Sequence, residues 1–451
     1  MHPSHDPHGQ PDVLHAIRHD LGNIRQWMAR AIVLAYAALA GASVVAFTWL
    51  CERTLDGFNR LYAWHAWFPF VWTPLVCAAI AWVTIRFVPG ASGSGIPQVM
   101  ASLHASVSDT ERRRLVSLRL ALAKTWLTAG GLLGGLAIGR EGPSVQIAAG
   151  VMQHARRWLP AGASISEHGL LVAGGAAGIA AAFNAPLAGV MFAIEELTRK
   201  IEQRSSGLVV AAIILAGLIA VSAFGNATYF GVIHVPELRP AFLFPALLVV
   251  LGSGLLGGFF SRLLHASLVG RGDRFSRWRA AHPVRFAAGC GLAIAVIGWA
   301  SGGSTFGSGY QSTRHLLEGH TDLPLLYVTL RVGATWLATW SGVPGGLFAP
   351  SLAIGADLGN DVAVLTGWQA ASPALIALGM AGFLAAVTQA PITAFIIVME
   401  MVDGHAMVLS LMAAALGASL IARWLARPLY GALAAAQLAR LAAARQPPAP
   451  H

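Results

Sequence analysis

The chain alternates long apolar runs with short polar links. The runs at 207–224 and 241–260 carry no charged residue and are long enough to span a bilayer as helices. Others, such as 94–103, are too short to cross and indicate half-helices enclosed by protein, because a membrane tolerates broken backbone only there or beside water-filled cavities. The pattern predicts an all-α, polytopic membrane protein. Further apolar segments lie at 27–50, 68–88, 115–134, 166–183, 187–199, 245–264, 286–300, 321–340, 351–359, 373–387, 391–401 and 408–425.

Composition supports a membrane location and disfavours several other classes of protein. Of the 451 residues, 56% are hydrophobic and 11% are charged, against about 25% charged in an ordinary soluble domain. The net charge of +10 is typical of the positive-inside bias of membrane proteins rather than of nucleic-acid binding. Three cysteines without paired spacing predict neither a disulfide frame nor a metal site, and we expect no cofactor and no enzyme activity. The basic clusters lie in short links at 112–114, 156–157, 199–200 and 271–285.

Polar ends and one central link divide the chain. Residues 1–28 hold five histidines and predict a cytoplasmic tail, for which metal binding is the less favoured interpretation, and no cleavable signal peptide is expected before the first span. Residues 29–225 and 241–440 are predicted as two halves of a membrane domain joined by a connector at 226–240. The Ala/Pro-rich segment 441–451 is predicted as a short C-terminal tail.

One carboxylate, Glu141, follows a strongly apolar stretch, in the segment Gly139-Arg140-Glu141-Gly142-Pro143. A carboxylate in such a setting is costly and by default indicates function. Gly142 and Pro143 favour a chain that breaks and then begins a helix, and the free N–H groups at the start of a broken membrane helix form an anion site. We therefore expect Glu141 to compete with a transported anion. The alternative is an interfacial Arg140/Glu141 ion pair at a helix end.

Three further places hold polar side chains inside or beside apolar runs. Ser94 lies in Gly93-Ser94-Gly95-Ile96-Pro97, a second predicted break where its hydroxyl is free to donate, or else simply a tight loop. Lys124 lies inside an apolar segment, where a snorkelling or ion-paired lysine is the alternative. Glu195 and Glu196 end an apolar run and could equally be solvated at the interface.

Two parts of the chain repeat, with matching proline, glutamate and basic positions. The matched pairs are 174–186 with 379–391, Glu195 with Glu400, 139–144 with 346–351, and Lys124 with Arg331. Membrane proteins built from such repeats place the substrate site between the halves, near the middle of the bilayer. The two breaks are therefore expected to face each other. The sequence leaves open whether the halves are parallel or inverted.

Four motifs resemble, in order and spacing, those of the CLC family of chloride channels and chloride/proton exchangers, over nearly all of residues 30–440. They are GSGIP (93–97), GREGP (139–143), GLFAP (346–350) and RPLY (427–430). A tyrosine such as the one in the last motif is, taken alone, more often an interfacial residue. The resemblance implies two inverted repeats of tilted and broken helices, in a homodimer with one pore per subunit. Without nucleotide-binding regulatory domains after the membrane part, the chain is similar to the shorter prokaryotic members.

The resemblance also implies a chloride site. The hydroxyls of Ser94 and Tyr430, and the backbone amides of Leu347 and Phe348, would coordinate a central chloride. Lys124 resembles the basic residue near the anion path. Where the family often has acidic residues, this chain has Gln98 and Met100, and this departure leaves the partner of Lys124 open.

Two glutamates are implied in proton transfer. Glu141 resembles the external gating glutamate, supported by Gly139, Arg140, Gly142 and Pro143 of the same motif. Glu196 falls where exchangers keep an inner glutamate for proton entry. A protonated Glu141 could leave the anion site and an ionised one could close it, because burial favours the neutral form and an anion-attracting field favours the charged form.

We therefore expect chloride/proton antiport by a multi-pass protein of the cell's inner (plasma) membrane, with chloride, protons and the lipid bilayer as partners and no nucleic acid. The alternative is a passive, voltage- or pH-gated chloride channel. A hypothesis from another class is an intramembrane serine protease, since Gly90-Ala91-Ser92-Gly93 matches a GxSG pattern with His265 or His282 as base. Neither histidine lies where a buried dyad is favoured.

Overall fold

The chain folds into helices throughout the part that the computed structural model describes. The described ranges are 24–163, 165–198, 206–225, 228–233, 240–270, 272–319 and 326–445. Most of the two predicted tails and much of the predicted connector lie outside these ranges. Within them there is no strand, only one isolated β-bridge between Gly139 and Gly346. The prediction of an all-α membrane fold is confirmed.

The helices of the first half run from the N-terminal side to the middle of the chain. They are α1 (Ile24–Trp64), α2 (Pro69–Phe87), α3 (Ile96–Ser102), α4 (Asp109–Leu115), α5 (Leu118–Leu133), α6 (Glu141–His154), α7 (Glu167–Phe183), α8 (Pro186–Phe192) and α9 (Ser206–Phe224). A π-helical turn, Ala193–Leu197, extends α8.

The helices of the second half complete the described chain. They are α10 (Leu243–Val269), α11 (Arg274–Ala281), α12 (Pro283–Ala300), α13 (Tyr310–Leu317), α14 (Tyr327–Trp340), α15 (Phe348–Thr366), α16 (Ser372–Thr388), α17 (Pro391–Met401), α18 (Val408–Leu425) and α19 (Leu429–Arg445). The last of these continues past residue 440, where the tail was predicted to begin.

Seven of the described helices are long and apolar enough to cross a membrane. In the segment that contains α16, 89% of the apolar window is buried inside the protein, whereas the other six windows are only 28–39% buried. The six therefore face lipid along much of their length, and α16 is enclosed by protein. The helices packed most closely on α16 are the broken helix α15, the short helix α17 and the long helices α10 and α18.

Some predicted boundaries are wrong, for local reasons. The first span was expected at 27–50, but α1 has 41 residues, because no proline interrupts 24–64 when the apolar run ends. At 1.5 Å per residue this helix is about 60 Å long, roughly twice the hydrocarbon core of a bilayer. The link 270–283 was expected to be a loop, yet it contains α11, whose first turn is capped by the Asp273 carboxylate on the Ser276 N–H at 2.9 Å.

The two halves are related by a two-fold axis, which the chain reveals through reciprocal contacts. Glu195 accepts from the Thr393 N–H at 2.7 Å, and its repeat partner Glu400 accepts from the Ala188 N–H, also at 2.7 Å. Each carboxylate thus caps the first turn of the other half's short helix, α17 or α8. The equivalent residues Gly139 and Gly346 pair in antiparallel fashion. The repeats are therefore inverted, which resolves the orientation that the sequence left open.

Close helix packing uses the glycines that the repeat aligns. A Cβ at Gly174 on α7 would lie 2.7 Å from the Ala149 Cα on α6, and a Cβ at Gly379 on α16 would overlap the Gly355 carbonyl oxygen on α15. Small residues let membrane helices approach this closely and gain van der Waals contact. Close packing at these glycines holds the broken helix of each half, α6 or α15, against its neighbour. Both breaks are therefore rigidly supported.

Candidate ion-binding site

The two predicted breaks meet at the centre of the molecule. The Gly139 N–H donates to the Gly346 carbonyl at 2.8 Å, and the Gly346 N–H donates to the Gly139 carbonyl at 2.6 Å. Directly after this bridge begin α6 and α15, so two helix N-termini converge on one place. Helix N-termini have unpaired N–H groups and a partial positive charge. The arrangement provides donors for an anion without a full charge, as the sequence predicted.

Glu141, the first residue of α6, lies fully buried at this junction. One carboxylate oxygen, Oε2, accepts from the Ala349 N–H in the first turn of α15 at 3.3 Å. The other, Oε1, is buried and has no hydrogen-bond partner among the described residues. Oε2 also packs so closely on Gly139 that a Cβ there would collide with it. A carboxylate oxygen therefore occupies the start of the opposite broken helix, and the motif needs glycine at position 139.

Two buried hydroxyls lie on the other side of this junction. Ser94 is 7% exposed and Tyr430 is 1% exposed, and within the described chain neither hydroxyl has a hydrogen-bond partner of normal geometry. They are close enough to interact with each other, and Tyr430 also interacts electrostatically with Glu141 and Glu196. Buried hydroxyls are normally hydrogen-bonded. Two that are free to donate suit a small anion.

The aromatic ring of Phe348 supports the tyrosine. The two rings stack at a centroid distance of 5.8 Å and an interplanar angle of 12°. Leu347 and Phe348 are both buried at the first turn of α15, where backbone N–H groups have no acceptor inside the helix. Gly142 completes the junction, since a Cβ there would collide with the Ser94 hydroxyl. Pro143 occupies the first turn of α6, where its missing N–H costs nothing. The predicted chloride ligands therefore lie in one region, around the first break.

Lys124 holds the loop that carries Ser94. Its Nζ donates to the Ala91 carbonyl at 2.8 Å and to the Gly93 carbonyl at 2.6 Å. The lysine is fully buried, so the predicted alternative of a snorkelling side chain is wrong. No carboxylate pairs with it in the described part of the chain. Its partners are two backbone carbonyls of the loop that carries Ser94.

Gln98 stabilises the same loop from the opposite side. Its Oε1 accepts from the Gly95 N–H at 3.0 Å, and its Nε2 donates to the Ser92 carbonyl at 2.5 Å. Gly95 has φ of 105°, a conformation that a residue with a Cβ rarely adopts. An amide side chain can donate and accept at once, which a carboxylate cannot do. The departure from the family pattern at this position therefore fits the local hydrogen bonding.

The Arg140 guanidinium binds partners that lie outside the motif. Its Nη1 donates to a carboxylate oxygen of Glu52 at 2.8 Å, and its Nη2 donates to the Tyr229 hydroxyl at 2.9 Å. Among the described residues it forms no ion pair with Glu141, so the alternative of an interfacial Arg140/Glu141 pair is wrong. Sequence reasoning missed Glu52 and Tyr229, because both lie almost ninety residues from Arg140 and neither belongs to a motif.

Glu196 lies in the π-helical turn after α8 and is half-buried. Its neighbour Glu195 is used in capping α17, which removes interfacial solvation as the explanation for that residue. Glu196 itself interacts electrostatically with Glu195 and with the Tyr430 hydroxyl. Glu196 therefore belongs to none of the four motifs, yet it lies within electrostatic reach of Tyr430, one of the candidate anion ligands.

Cavities approach the junction from two faces. One of about 410 Å³ is lined by Ser94 and Leu347 at its inner end and by Arg114 and Arg440. Two others, of about 360 and 300 Å³, are both lined by Arg140 and Glu52. We call the first the basic vestibule and the other two the Arg140 cavities. Glu141 lines none of the three cavities. Its neighbour Arg140 lines the two Arg140 cavities, and Ser94 and Leu347 line the basic vestibule.

The protease hypothesis fails on geometry. The Ser92 hydroxyl donates to the Gly342 carbonyl at 3.0 Å. No described contact joins it to His265 on α10 or to His282 at the end of α11. A nucleophile and its base need hydrogen-bond contact, and this pair does not have it.

A second loop of the same kind escaped the sequence comparison. Gly307-Ser308-Gly309 precedes α13 as Gly93-Ser94-Gly95 precedes α3, with φ of 70° and 89° against 70° and 105°. Arg331, the repeat partner of Lys124, donates to the Thr305 and Gly307 carbonyls, both at 2.8 Å. The repeated Gly-Ser-Gly was a visible signal. It was missed because its spacing from Arg331 differs from the spacing of its counterpart from Lys124.

Comparison with known proteins adds an independent finding. Residues 76–423 match the family described as voltage gated chloride channel. Over 431 residues, the chain is 31% identical to the H(+)/Cl(-) exchange transporter ClcA of Cronobacter sakazakii (strain ATCC BAA-894). This match covers 90% of this chain and 89% of the relative.

Solved structures share the fold. The chain is similar to a slow cyanobacterial Cl-/H+ antiporter, with a TM-score of 0.77 and 24% identity, over 92% of this chain and 98% of that one. It is also similar to a eukaryotic CLC transporter, with a TM-score of 0.73 and 21% identity, over 91% and 75% of the two chains. A CLC-type fluoride/proton antiporter matches with a TM-score of 0.70 and 21% identity, over 90% and 97%.

Proposed function

This chain belongs to the voltage-gated chloride channel family, and on that premise we propose that it exchanges chloride for protons across the cell's inner membrane, as a homodimer with one pore in each subunit. A relative that is 31% identical over nearly its whole length is named an H(+)/Cl(-) exchange transporter. The family and this relative are both described by the transport of ions. The basic vestibule faces the cytoplasm in this proposal, because its arginines follow the positive-inside bias.

Chloride binds, in this proposal, between the two broken helices. The hydroxyls of Ser94 and Tyr430 and the amides of Leu347 and Phe348 replace its water shell. Such donors have no full charge, so an ion can enter and leave. Neither buried hydroxyl has a hydrogen-bond partner of normal geometry among the described residues, which supports this assignment. Lys124 adds a nearby positive charge and holds the Ser94 loop in place.

Glu141 acts as the gate. The observation that carries the proposal is its carboxylate, which accepts from an N–H in the first turn of α15, where an anion would bind. Ionised, Glu141 takes the place of chloride. Protonated, it no longer competes and moves out. Each exit of Glu141 then takes a proton with it, which links proton movement to chloride movement in the opposite direction.

Glu196 supplies protons from the cytoplasmic side. It is half-buried and lies within electrostatic reach of Tyr430, which in turn interacts with Glu141. A proton can therefore pass near the chloride site without sharing the chloride route. The presence of this second carboxylate favours exchange over passive chloride conduction, which is the alternative function.

Proteoliposomes test the proposal. An imposed chloride gradient should drive protons uphill in vesicles with the wild-type protein, and Glu141→Ala should abolish the proton movement while chloride still flows. Glu196→Gln should also stop proton movement and leave chloride flux. As a matched control, Glu195→Gln should retain coupling, because that carboxylate caps a helix. Chloride flux without proton movement in the wild type would instead identify a channel.

A further inference from the structure

The side chain of Arg140 is held in a specific position outside the ion site. It is 8% exposed, and its guanidinium binds Glu52 at 2.8 Å, the Tyr229 hydroxyl at 2.9 Å and, more weakly, the Thr48 carbonyl at 3.4 Å. The guanidinium also lies over the Tyr229 ring, at 5.7 Å from its centroid. Glu52 belongs to α1, and nothing in the first break itself supplies a partner for Arg140. The anchor therefore comes from outside the motif.

The position of the Arg140 side chain affects the next residue, Glu141. Arg140 and Glu141 are adjacent in sequence, carry opposite charges and are both buried, yet among the described residues no ion pair joins them. An arginine side chain is long enough to reach a neighbouring carboxylate. An opposite charge within a few ångströms favours the ionised carboxylate, and it would hold Glu141 in its closed, charged form. Whatever keeps Arg140 away from Glu141 therefore affects the gate.

We propose that Glu52 is a positioning residue for proton exchange, because its carboxylate keeps the Arg140 guanidinium out of direct ion-pair contact with Glu141, so that Glu141 takes up a proton more readily than it would beside a closer arginine. This inference rests on the proposed function and adds a residue to it. Glu52 is half-exposed and lines both Arg140 cavities, so it touches neither chloride nor the gate directly.

Other charged and titratable groups face the same place. On α1 these are Cys51, which is buried beside Arg140 and Glu141, and Asp56, which lines one Arg140 cavity. From other elements come the Tyr229 and Tyr310 hydroxyls, of which Tyr310 donates to the Tyr229 carbonyl at 3.0 Å. Arg314 on α13 lines the second cavity.

These neighbours do not replace Glu52 as the anchor. Arg314 is itself paired with Glu318 at 2.8 Å. Asp56, one helical turn from Glu52, makes no described contact with Arg140. Of the described carboxylates around the Arg140 cavities, Glu52 alone binds the guanidinium.

The test compares Glu52→Gln with Asp56→Asn in proteoliposomes, across a series of pH values. Glutamine keeps the size of the side chain but not its charge, so Arg140 becomes free to approach Glu141. The chloride flux of Glu52→Gln should then need a more acidic pH, with the half-maximal point lower by about one pH unit. The proton-to-chloride ratio should stay the same. Asp56→Asn removes one negative charge from the same cavity and should shift the profile far less.

A second variant protects against a folding defect. Tyr229→Phe removes a single hydrogen bond to Arg140 and leaves the ion pair, so it should shift the profile in the same direction by a smaller amount. Glu52→Asp should restore part of the wild-type profile. The proposal is overturned if wild type exchanges protons but Glu52→Gln keeps its pH profile, or if Asp56→Asn shifts it equally. Absence of proton exchange in the wild type would instead refute the proposed function.

Discussion

The break at 139–143 and the break at 346–350 pair with each other through backbone hydrogen bonds, yet they present different side chains. The third position is Glu141 in one and Phe348 in the other. Glu141 reaches the first turn of α15, whereas the Phe348 ring stacks on Tyr430. The symmetric backbone brings two helix N-termini together. The asymmetric side chains give this symmetric junction a carboxylate on one side and an aromatic ring on the other.

The loops that precede α3 and α13 also share a backbone arrangement and differ in their side-chain surroundings. Both are Gly-Ser-Gly turns held by a buried cation, Lys124 or Arg331, through two backbone carbonyls. Arg331 has an acidic neighbour, Asp357, whose two carboxylate oxygens are buried without a described hydrogen-bond partner. Lys124 has no such neighbour among the described residues. The proposed function therefore gives the two cations different roles: the cation of the second half stabilises the fold, and the cation of the first half also acts on the anion.

The largest effect is expected from Arg331→Met. The substitution leaves two buried carbonyls unpaired and removes the positive charge beside Asp357, which should cost about 3 kcal/mol or more. Thermal unfolding in detergent should show a clear loss of stability, while chloride affinity of the folded fraction stays unchanged. Adding Asp357→Asn should recover part of the loss. An unchanged melting temperature would contradict the structural role given to this arginine.

Lys124→Met should weaken chloride binding as well as reduce stability. Two carbonyls lose their donor, at about 1–3 kcal/mol, and the Ser94 loop loses its anchor. We expect weaker chloride binding, by about tenfold if 1.4 kcal/mol of the cost falls on the bound state. Chloride titration of the two methionine variants checks this. If both variants weaken chloride binding to the same extent, the functional difference between the two halves does not exist.

The reciprocal caps should give equal and moderate effects. Glu195→Gln and Glu400→Gln each remove a charged cap from the short helix of the other half, which should cost about 1 kcal/mol. Because both residues are only half-buried, the loss should fall at or below this value. Thermal unfolding of the two variants measures it. A several-fold difference between them would show that the two-fold relation does not extend to energetics.

The smallest effect concerns α19, the helix that carries Tyr430. At its end Arg445 donates to both oxygens of Glu111, at 2.7 and 2.5 Å. These hydrogen bonds, together with two that Ser108 donates to the same carboxylate, lower the pKa of Glu111 from 4.5 to about 2. A lowered pKa means that the contact stabilises the protein fully above 4.5 and that this contribution is lost as pH falls towards 2.

Hydrogen exchange at the end of α19 tests this contact. In the wild type, the amides of the last turn should exchange faster, relative to the intrinsic rate, as the pH falls through this range. Glu111→Gln should show fast exchange already at neutral pH and no further change. Slow exchange in the variant at neutral pH would show that Arg445 does not hold the helix end.

Local patterns were sufficient to predict much of the site. Glycine and proline mark both breaks, Glu141 is conspicuous as a charge in an apolar stretch, and proline and glutamate spacing revealed the repeat. These signals come from backbone conformation and from the cost of burying charge, which depend on neighbouring residues in the chain. The same is true of the apolar spans.

Contacts between distant segments could not be predicted. Whether Arg140 pairs with Glu141 depends on Glu52 and Tyr229, which the fold brings from other elements. The partners of Lys124 are backbone carbonyls, and no side-chain pattern identifies those. The inverted relation of the halves also became visible only through pairing in space, at the bridge between Gly139 and Gly346. Charge and spacing along a chain do not determine which way a side chain turns.

The most direct test of the central claim is chloride titration by calorimetry, on wild type and on Glu141→Gln at neutral pH. If the carboxylate and chloride compete for the start of α15, the glutamine variant should bind chloride more tightly, by about fivefold for 1 kcal/mol of relieved competition, or bind one ion more. Lowering the pH should bring the wild type towards the variant. Equal affinity and equal numbers of bound chloride ions, at every pH, would contradict the account.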